Sequence, residues 1–302
     1  MPDNQTFEII IIGGSYAGLS AAMALGRSLR NVLVIDSGNP CNRQTPFSHN
    51  FITQDGRTPA EITAEAKAQA LKYPTVRFYQ GTVINGRKTG GGFAIETDSA
   101  QEFTAKKLLF ATGLTDILPE IPGFAECWGI SVLHCPYCHG YEVKNQDIGI
   151  IANGDMGFEL CRLIHNWTPK LTLFTNGKST LTEAQTEKIG MHNIGIIEKN
   201  IRQLDHAEGQ IQGIVFTDQS KTDVSAIFAR GGIEQQCRTA QKMGCELTEQ
   251  GLLKVDDFQK TSVPGIFAAG DNTTLFRAVS AAVASGTKAG AFINKELIDE
   301  SF

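Results

Sequence analysis

The sequence predicts an α/β fold of two three-layer (ββα) domains, with the second domain inserted into the first. Two observations support this prediction. Apolar strands pass directly into glycine-containing turns and then into helices at two places, after residue 12 and after residue 151. Two further apolar strands end in small residues around Gly113 and Gly270, which lie far apart in the chain. Strands that alternate with helices in this way indicate parallel, Rossmann-like sheets.

The first strand, turn and helix begin close to the N-terminus. An apolar run from Phe7 to Ile12 enters the turn, and a second strand, Val32 to Ile35, ends in an acid. In such a unit the glycines let the backbone approach a pyrophosphate, the helix N-terminus supplies free N–H groups, and the acid accepts hydrogen bonds from a ribose. Ser15 replaces the middle motif glycine, but its side chain can point away from the phosphates. The candidate dinucleotide-binding residues are Gly13, Gly14, Ser15, Ala17, Gly18 and Asp36.

Two later segments extend the dinucleotide prediction to FAD. A buried strand at 108–110 runs into a small-residue turn, and a strand at 265–269 ends in Gly-Asp. A helix of small residues follows, and its N-terminus is expected to face the pyrimidine edge of the flavin. Free N–H groups and the helix dipole would stabilise the negative charge that gathers there on reduction. The candidate FAD-binding residues in these segments are Ala111, Thr112, Gly113, Gly270, Asp271, Ala278 and Val279.

Cys135 and Cys138 are separated by Pro-Tyr and followed at once by His139. Such a pair can cycle between dithiol and disulfide, and a neighbouring imidazole can remove a proton from an entering thiol. The CxxC spacing is also found in zinc and haem sites, but a structural zinc site needs four ligands and only His134 and His139 lie nearby. The sequence therefore predicts Cys135, Cys138 and His139 as catalytic residues, with no metal. Glu142 is a candidate to orient His139, and His134 is a weaker candidate base.

With these motifs together, the chain resembles the low-molecular-weight thioredoxin reductases, and more closely their branch with a CPYCHGYE motif. That branch includes dithiol oxidases of the gliotoxin and holomycin type. The resemblance extends from Phe7 to about Phe292, and it implies a glutathione-reductase-type fold and an FAD-dependent thiol–disulfide oxidoreductase. It also implies that Cys138 faces the isoalloxazine ring and that Cys135 exchanges with the substrate sulfur. His139 stands where thioredoxin reductases carry an aspartate.

The order of the motifs along the chain predicts a discontinuous first domain. The FAD-binding domain is expected to comprise residues 1–117 and 223–302, because its motifs occur in the first third of the chain and again near the C-terminus. Residues 118–222 are expected to form an NAD(P)-binding-like domain that carries the CxxC pair, with a proline-rich connector at 118–123. In the second domain a helix is expected from about Phe158 to Asn166.

The second glycine-containing turn departs from a working NADPH site. Its first glycine is replaced by Ala152, and the next strand is followed by Thr-Asn-Gly-Lys at 175–178 rather than by arginines. NADPH recognition needs a clamp on the 2′-phosphate, and NADH recognition needs an acid on the ribose. Two interpretations stay open. The domain is either a scaffold with weak or absent NAD(P)H binding, or a site in which Lys178, Arg162 or Arg230 replaces the missing clamp.

Composition limits the partners. The net charge is −5 with a pI near 5.7, so nucleic acid binding has no electrostatic basis. The chain shows no leader peptide and no apolar stretch long enough to span a membrane, which predicts a soluble, cytoplasmic protein. The seven cysteines do not indicate a secreted disulfide framework. The family resemblance implies a homodimer.

Three functions remain open from the sequence. A dithiol oxidase would take electrons from a small-molecule dithiol and give them to oxygen. A reductase would instead reduce a small disulfide or a thioredoxin-like protein with electrons from NADPH or another donor. A flavin-bound redox sensor without turnover is the third. The loop from Pro46 to Arg57 is a candidate surface for choosing the partner, and the sequence leaves open whether its His49 reaches the flavin.

Overall fold

Strands and helices alternate along most of the chain in the computed structural model, which describes residues 5–302. The strands are β1 (Thr6–Ile12), β2 (Val32–Asp36), β3 (Val76–Gln80), β4 (Val83–Thr89), β5 (Gly92–Thr97), β6 (Glu102–Phe110), β7 (Leu114–Ile117), β8 (Val132–Leu133), β9 (Ile148–Ile151), β10 (Leu171–Phe174), β11 (Gly195–Ile197), β12 (Ile201–Ala207), β13 (Gln210–Phe216), β14 (Lys221–Thr222), β15 (Ala226–Ala229), β16 (Gly232–Gln235) and β17 (Ile266–Ala268). The helices are α1 (Tyr16–Arg27), α2 (Pro59–Ala70), α3 (Phe124–Cys127), α4 (Pro136–His139), α5 (Gly154–Ile164), α6 (Glu183–Met191), α7 (Thr239–Lys242) and α8 (Val279–Ser301).

These elements form two units. The first comprises residues 5–43, 59–116 and 233–302, and the second comprises residues 44–58 and 117–232. The predicted boundaries differ from these units in three places. Residues 44–58 and 223–232, which contain β15, were expected in the first domain but lie in the second unit, and the boundary at residue 117 differs by one residue. β15 belongs there because its buried residues pair in parallel with β9 and β8, in the middle of the second sheet.

The sheet of the first unit has the strand order β3-β2-β1-β6, with β17 and β5 both paired to β6. β1 lies between β2 and β6 and is parallel to both, so its carboxyl end is the point at which the strand order reverses. The central strands are apolar on both faces because α1 and α8 cover one face and further strands and loops cover the other. This topology places the glycine-rich turn at the position where α/β sheets bind ligands.

Helices α1 and α8 pack through glycines. A Cβ added to Gly286 would lie 2.0 Å from the carbonyl oxygen of Ala17, and one added to Gly290 would lie 2.9 Å from that of Ala21. The backbones can approach this closely only because those positions lack side chains. α8 is 23 residues long and carries charged residues in its second half. Within residues 5–302, no helix is both long enough and apolar enough to cross a membrane.

The second unit contains a parallel sheet in the order β11-β10-β9-β15-β8 and an antiparallel sheet in the order β12-β13-β14. β9, the turn after it and α5 repeat the strand–turn–helix arrangement of the first unit. α5 begins at Gly154, earlier than the predicted start near Phe158, and ends at Ile164. The reason is that the side chain of Asn153 accepts a hydrogen bond from Gly154 N and caps the helix there.

Candidate active site

The turn after β1 requires glycine at two positions. Gly13 has φ +103°, and a Cβ added to it would lie 2.3 Å from the carbonyl oxygen of Ala111. A Cβ added to Gly18 would lie 1.9 Å from the carbonyl oxygen of Gly13. The end of β1, the start of α1 and the turn after β6 therefore approach each other with backbone alone. Main-chain atoms, rather than side chains, therefore form the surface at the carboxyl end of β1, and this surface is called the backbone cradle.

The N-terminus of α1 has no side-chain cap. Its N-cap residue, Ser15, makes no side-chain hydrogen bond to the helix. Asp36, at the end of β2, accepts from Gly14 N at 2.9 Å and from Gly38 N at 3.2 Å, and so holds the turn from the outside. The first N–H groups of α1 thus keep their capacity to bind an anion, as a dinucleotide pyrophosphate requires.

A buried charged cluster lies before α8. Arg277 forms a bidentate pair with Asp116, at 2.6 and 3.2 Å, and approaches Asp271 at 3.4 Å. Burial opposes the charge of Arg277, but the pair with Asp116 outweighs it and raises the pKa of the guanidinium. Burial raises the pKa of Asp271, and Arg277 offsets only part of the effect. The sequence predicted Asp271 but missed Asp116 and Arg277, because residues 161 positions apart give no local pattern.

The N-terminus of α8 is also open. Ala278 is its N-cap residue and has no side chain that can cap the first turn, which begins at Val279. In the preceding turn, Asn272 is fully buried and donates to the carbonyl oxygen of Phe110 at 2.8 Å, whereas its Oδ1 has no protein partner. A buried acceptor normally has a partner. Open helix N-termini, a backbone cradle and an unpartnered buried acceptor in one unit fit a bound dinucleotide such as FAD.

Cys135 and Cys138 form a disulfide at the start of the one-turn helix α4, with Cα atoms 5.3 Å apart. The carbonyl oxygen of Cys135 accepts from the N–H groups of Cys138 and His139, both at 3.2 Å. Gly140 ends the turn, and a Cβ there would lie 2.8 Å from Nε1 of Trp167. The cysteine turn is therefore fixed against Trp167 by close packing as well as by the disulfide. The structure holds the predicted pair in its oxidised form.

His139 is partly buried beside the cysteines, and a second histidine packs against it. The ring of His49 lies edge-on to that of His139, with centroids 6.5 Å apart. Nε2 of His49 lies 3.6 Å from Oε1 of Glu142. Burial lowers the pKa of His139 below its ordinary value; the charge of Glu142 opposes this shift and that of His49 adds to it. Glu142, predicted to orient His139, thus makes its close contact with His49.

His134, Tyr137 and Tyr141 lie close to the cysteines in the sequence, and each has aromatic or solvent-exposed surroundings. His134 stacks on Trp128, with ring centroids 5.8 Å apart. Tyr137 is 61% exposed and Tyr141 is 68% exposed. Tyr137 nevertheless packs edge-on against Trp167, with ring centroids 5.6 Å apart, and Nζ of Lys144 lies 3.2 Å from the centre of the Tyr141 ring.

The turn after β9 is closed by its own side chain. Oδ1 of Asn153 accepts from Gly154 N and from Thr180 N, both at 2.8 Å. Nδ2 of Asn153 donates to the carbonyl oxygens of Lys178 at 2.9 Å and Thr175 at 3.3 Å. One amide therefore ties the N-terminus of α5 to the 175–180 loop, which would have to receive the 2′-phosphate of NADPH. The sequence identified the loss of glycine at Ala152 but did not anticipate the role of Asn153.

The three cations that could have replaced the missing clamp have different surroundings. Arg162 lies in the last turn of α5, away from the nucleotide turn, and pairs with Glu159 at 2.7 Å. Nη1 of Arg230 contacts Sδ of Met156, in the first turn of α5, at 3.7 Å. Lys178 belongs to the loop itself. Oε1 of Glu198 accepts from Ser179 N at 2.8 Å, which adds a carboxylate to the place where a phosphate would bind.

Comparison with known proteins identifies the class. Residues 7–286 match the sequence profile of a family described as pyridine nucleotide-disulphide oxidoreductase. The chain belongs to this family. It is 32% identical over 311 residues to the thioredoxin reductase tcpT of Claviceps purpurea (strain 20.1), covering 99% of this chain and 96% of that protein.

Two solved structures agree with this family over the whole chain. An oxidoreductase from Agrobacterium tumefaciens has a TM-score of 0.91 and 36% identity, and the match covers 97% of this chain and 99% of that one. HlmI has a TM-score of 0.93 and 28% identity, covering 100% of this chain and 95% of that one. The predicted two-domain α/β fold and the resemblance to thioredoxin reductases are confirmed.

The protein is an FAD-dependent, thioredoxin reductase-like disulfide oxidoreductase. The predicted enzyme class and the FAD cofactor are confirmed. The assignment of individual residues to FAD and to catalysis stays a prediction, which the open turn of the first unit and the disulfide of the second support. When bound, FAD would be held by the α1 turn, Asp36 and the region before α8.

Proposed function

We propose that this enzyme oxidises dithiols to disulfides and uses oxygen, rather than a pyridine nucleotide, as its partner in electron transfer. A substrate dithiol exchanges with the Cys135–Cys138 disulfide, leaves as a disulfide and reduces both cysteines. FAD, when bound, supplies the two-electron path from these cysteines to O₂, which is released as hydrogen peroxide. The balance is R(SH)₂ + O₂ → RS₂ + H₂O₂.

The proposal rests mainly on a difference in helix capping between the two glycine-containing turns. The α1 N-terminus has no side-chain cap, whereas the α5 N-terminus is capped by Asn153, whose amide makes hydrogen bonds to both the turn and the 175–180 loop. A dinucleotide pyrophosphate needs the free N–H groups of a helix N-terminus. In the second unit Oδ1 of Asn153 already accepts from the first of these groups, Gly154 N, and the same amide binds the adjacent loop. This favours a cycle in which NAD(P)H takes no part.

The missing arginine clamp is a second reason to expect weak NADPH binding. NADPH carries a 2′-phosphate, and each charge-assisted hydrogen bond absent from its clamp costs about 1.5–3 kcal/mol of binding. Two missing bonds weaken the affinity by roughly two to four orders of magnitude, because 1.4 kcal/mol corresponds to a factor of ten. Lys178 offers a single charge, and Glu198 places a carboxylate against the same loop. NADPH is therefore a poor donor for this enzyme.

The residues of the second unit would carry the thiol chemistry. A thiolate is the species that attacks a disulfide, and an unperturbed thiol, with a pKa of about 8.5, is mostly protonated at neutral pH. Burial lowers the pKa of His139, so its imidazole is neutral at pH 7 and available as a base. We assign His139 to remove the proton of the entering thiol, Cys135 to exchange with the substrate sulfur, and Cys138 to leave as the thiolate.

A second candidate function is reduction of a thioredoxin-like protein by electrons from a donor other than NAD(P)H. The exposed rings of Tyr137 and Tyr141 favour it, because aromatic side chains are enriched at protein interfaces. Several relatives also carry the name thioredoxin reductase. The same surface would equally accept an apolar small dithiol, so the direction of electron flow decides between the two.

Anaerobic mixing of the FAD-loaded enzyme with dithiothreitol, NADPH and NADH, each in a separate experiment, tests the proposal. We expect dithiothreitol to bleach the flavin absorbance readily and both nucleotides to do so slowly or not at all. Readmission of air after dithiothreitol should restore the colour and produce one peroxide per disulfide. Rapid bleaching by micromolar NADPH would refute the proposal. Bleaching by dithiothreitol without peroxide, together with reduction of thioredoxin by the bleached enzyme, would favour the second candidate.

The variant Asn153→Gly tests whether the closed turn is the cause. NADH lacks the 2′-phosphate, so the missing clamp does not affect it. Reopening the turn frees donors worth about 1.5 kcal/mol or more, and we expect reduction by NADH to accelerate by at least about tenfold. Thr182→Ala removes the N-cap of α6 in the same unit and controls for the loss of a helix cap. If both variants behave alike, Asn153 does not control access.

A further inference from the structure

A loop of residues 44–58 brings a second imidazole to His139. The 44–58 loop belongs to the second unit, although the residues before and after it belong to the first. An antiparallel bridge closes it, in which Ser48 N donates to the carbonyl oxygen of Arg57 at 2.8 Å and Gly56 N donates to that of Ser48 at 2.9 Å. Ser48 is buried. The bridge therefore fixes the point from which the side chain of His49 extends.

Both ring nitrogens of His49 face carboxylates. Nδ1 lies 3.6 Å from Oδ1 of Asp55, and Nε2 lies 3.6 Å from Oε1 of Glu142. Oδ1 of Asp55 also accepts from Asn50 N at 2.7 Å, which holds this carboxylate in place. The ring of His49 is 87° from the plane of the His139 ring. The ring of His49 thus packs against His139, while its two nitrogens face Glu142 and Asp55, whose side chain is 65% exposed.

Dithiol exchange releases one proton for each substrate, if the proposed function on which this inference rests is correct. The substrate dithiol and the Cys135–Cys138 disulfide give a substrate disulfide, a Cys135 thiol, a Cys138 thiolate and H⁺. The substrate S–S bond forms as the enzyme S–S bond breaks, so the two electrons stay on the cysteines. His139 can take the proton, but it is partly buried and must lose that proton before the next turnover.

We propose that His49 is a positioning residue for His139 and the outlet through which its proton reaches solvent. Asp55 and Glu142 orient the His49 ring, and the proton of His139 reaches Nε2 of His49 by way of Glu142 and leaves from Nδ1 to Asp55. Asp55 then passes the proton to water. Asp55 and Glu142 are charged groups that face this pair of histidines.

His49→Gln tests the outlet. In steady-state oxygen consumption by the FAD-loaded enzyme with dithiothreitol in weak buffer at pH 7, we expect turnover to slow by between about 10-fold and 100-fold, with unchanged FAD content. A concentrated imidazole buffer should restore much of the rate in the variant and leave the wild type unaffected. His192→Gln removes a histidine elsewhere in the same unit, packed against His165, and is expected to match the wild type.

The pH profile separates a positioning role from a purely structural one. His49 and Glu142 act on His139 in opposite directions. His49→Gln should therefore raise the apparent pKa of the rate, because a like charge is removed. Glu142→Gln should lower it, because a charge that stabilises the imidazolium is lost. Shifts in the same direction, or no shift in either variant, would overturn the inference.

The two proposals fail in different ways. If dithiothreitol does not reduce the wild type, the proposed function is wrong. If it reduces the wild type, and the wild type and His49→Gln turn over equally fast with the same pH profile, the inference about His49 is wrong and the proposed function stands. If His49→Gln does not retain FAD, Asp55→Asn replaces it, and we expect a smaller loss of rate that imidazole also restores. An unchanged rate in Asp55→Asn would then overturn the inference.

Discussion

The two cysteines of the pair have different backbone surroundings. Cys135 is the extended residue before α4, and its carbonyl oxygen accepts two hydrogen bonds. Cys138 lies within the turn and donates one of those bonds. The family resemblance assigns Cys135 to the substrate and Cys138 to the flavin, and such an asymmetry is what a relay of electrons from one side to the other requires.

Single serine variants test this assignment. Cys135→Ser leaves Cys138 as the remaining thiol, and we expect a long-wavelength absorbance band from its thiolate beside oxidised flavin. Cys138→Ser should lack the band, and both variants should lose dithiol oxidation. Cys237→Ser removes a free cysteine and serves as the control, with the spectrum and activity of the wild type. A band in Cys138→Ser alone would mean that the two roles are exchanged.

The two units each contain a strand–turn–helix motif, and these two motifs differ at their turns. The turn before α1 relies on glycines that allow backbone contact, and its helix N-terminus is left without a side-chain cap. The turn before α5 begins with Ala152 and is filled by the amide of Asn153. The strands and helices around both turns have the same arrangement. The two turns therefore differ only in a few side chains.

Gly18→Ala tests the first turn. The added Cβ would lie 1.9 Å from the carbonyl oxygen of Gly13, so α1 must move away from the turn. We expect loss of FAD during purification and a decrease of about 1–3 kcal/mol in the free energy of unfolding. Gly190→Ala is the matched control, because that helical glycine has nothing within 4 Å of an added Cβ, and it should stabilise the protein by about 0.5–1 kcal/mol. Full FAD content in Gly18→Ala would contradict the assignment of this turn.

At the scale of the whole molecule, an ion-pair network ties the last helix to the middle of the first unit. Nζ of Lys107, on β6, pairs with Glu296 on α8 at 2.6 Å and also with Glu300. Glu296 pairs in addition with Lys260 at 2.5 Å. The side chain of Lys107 is only 7% exposed, so removing its charge partners or the lysine itself is costly. The network holds α8 in place for its contacts with α1.

Lys107→Met should lower the free energy of unfolding by about 3 kcal/mol at pH 7, because it leaves partly buried carboxylates without their main partner. Lys254→Met removes an exposed pair with Glu246 and should cost less than about 1 kcal/mol. Urea denaturation of both variants measures the difference. Equal effects would show that the Lys107 network contributes no more than a surface pair.

The pH dependence of the same network follows from Glu296. Burial opposes its ionisation, but hydrogen bonds from Lys107 and Lys260 outweigh burial and lower its pKa. The contribution to stability is therefore complete above the ordinary pKa of a glutamate, about 4.3, and is lost as the pH falls through the lowered value in the folded protein. The difference between the wild type and Lys107→Met should narrow accordingly in acid.

The features that depend on neighbouring residues could be predicted from the amino-acid sequence. Apolar runs specified the strands β1, β2, β9 and β10, glycines specified the first turn, and the spacing of two cysteines specified the disulfide. Hydrogen bonds and steric limits within a few residues control each of these features, so a linear pattern contains them. The family resemblance rests on the same local motifs.

The contacts between residues far apart in the chain became visible in the folded structure alone. The pairing of His49 with His139, the bond between Arg277 and Asp116 and the place of β15 in the second sheet join segments that no periodicity relates. The closed turn at Asn153 belongs here too, because its partners lie in a loop 22 to 27 residues away. Such contacts form only after the sheets have packed, and their geometry is set by the folding of the whole chain rather than by local preference.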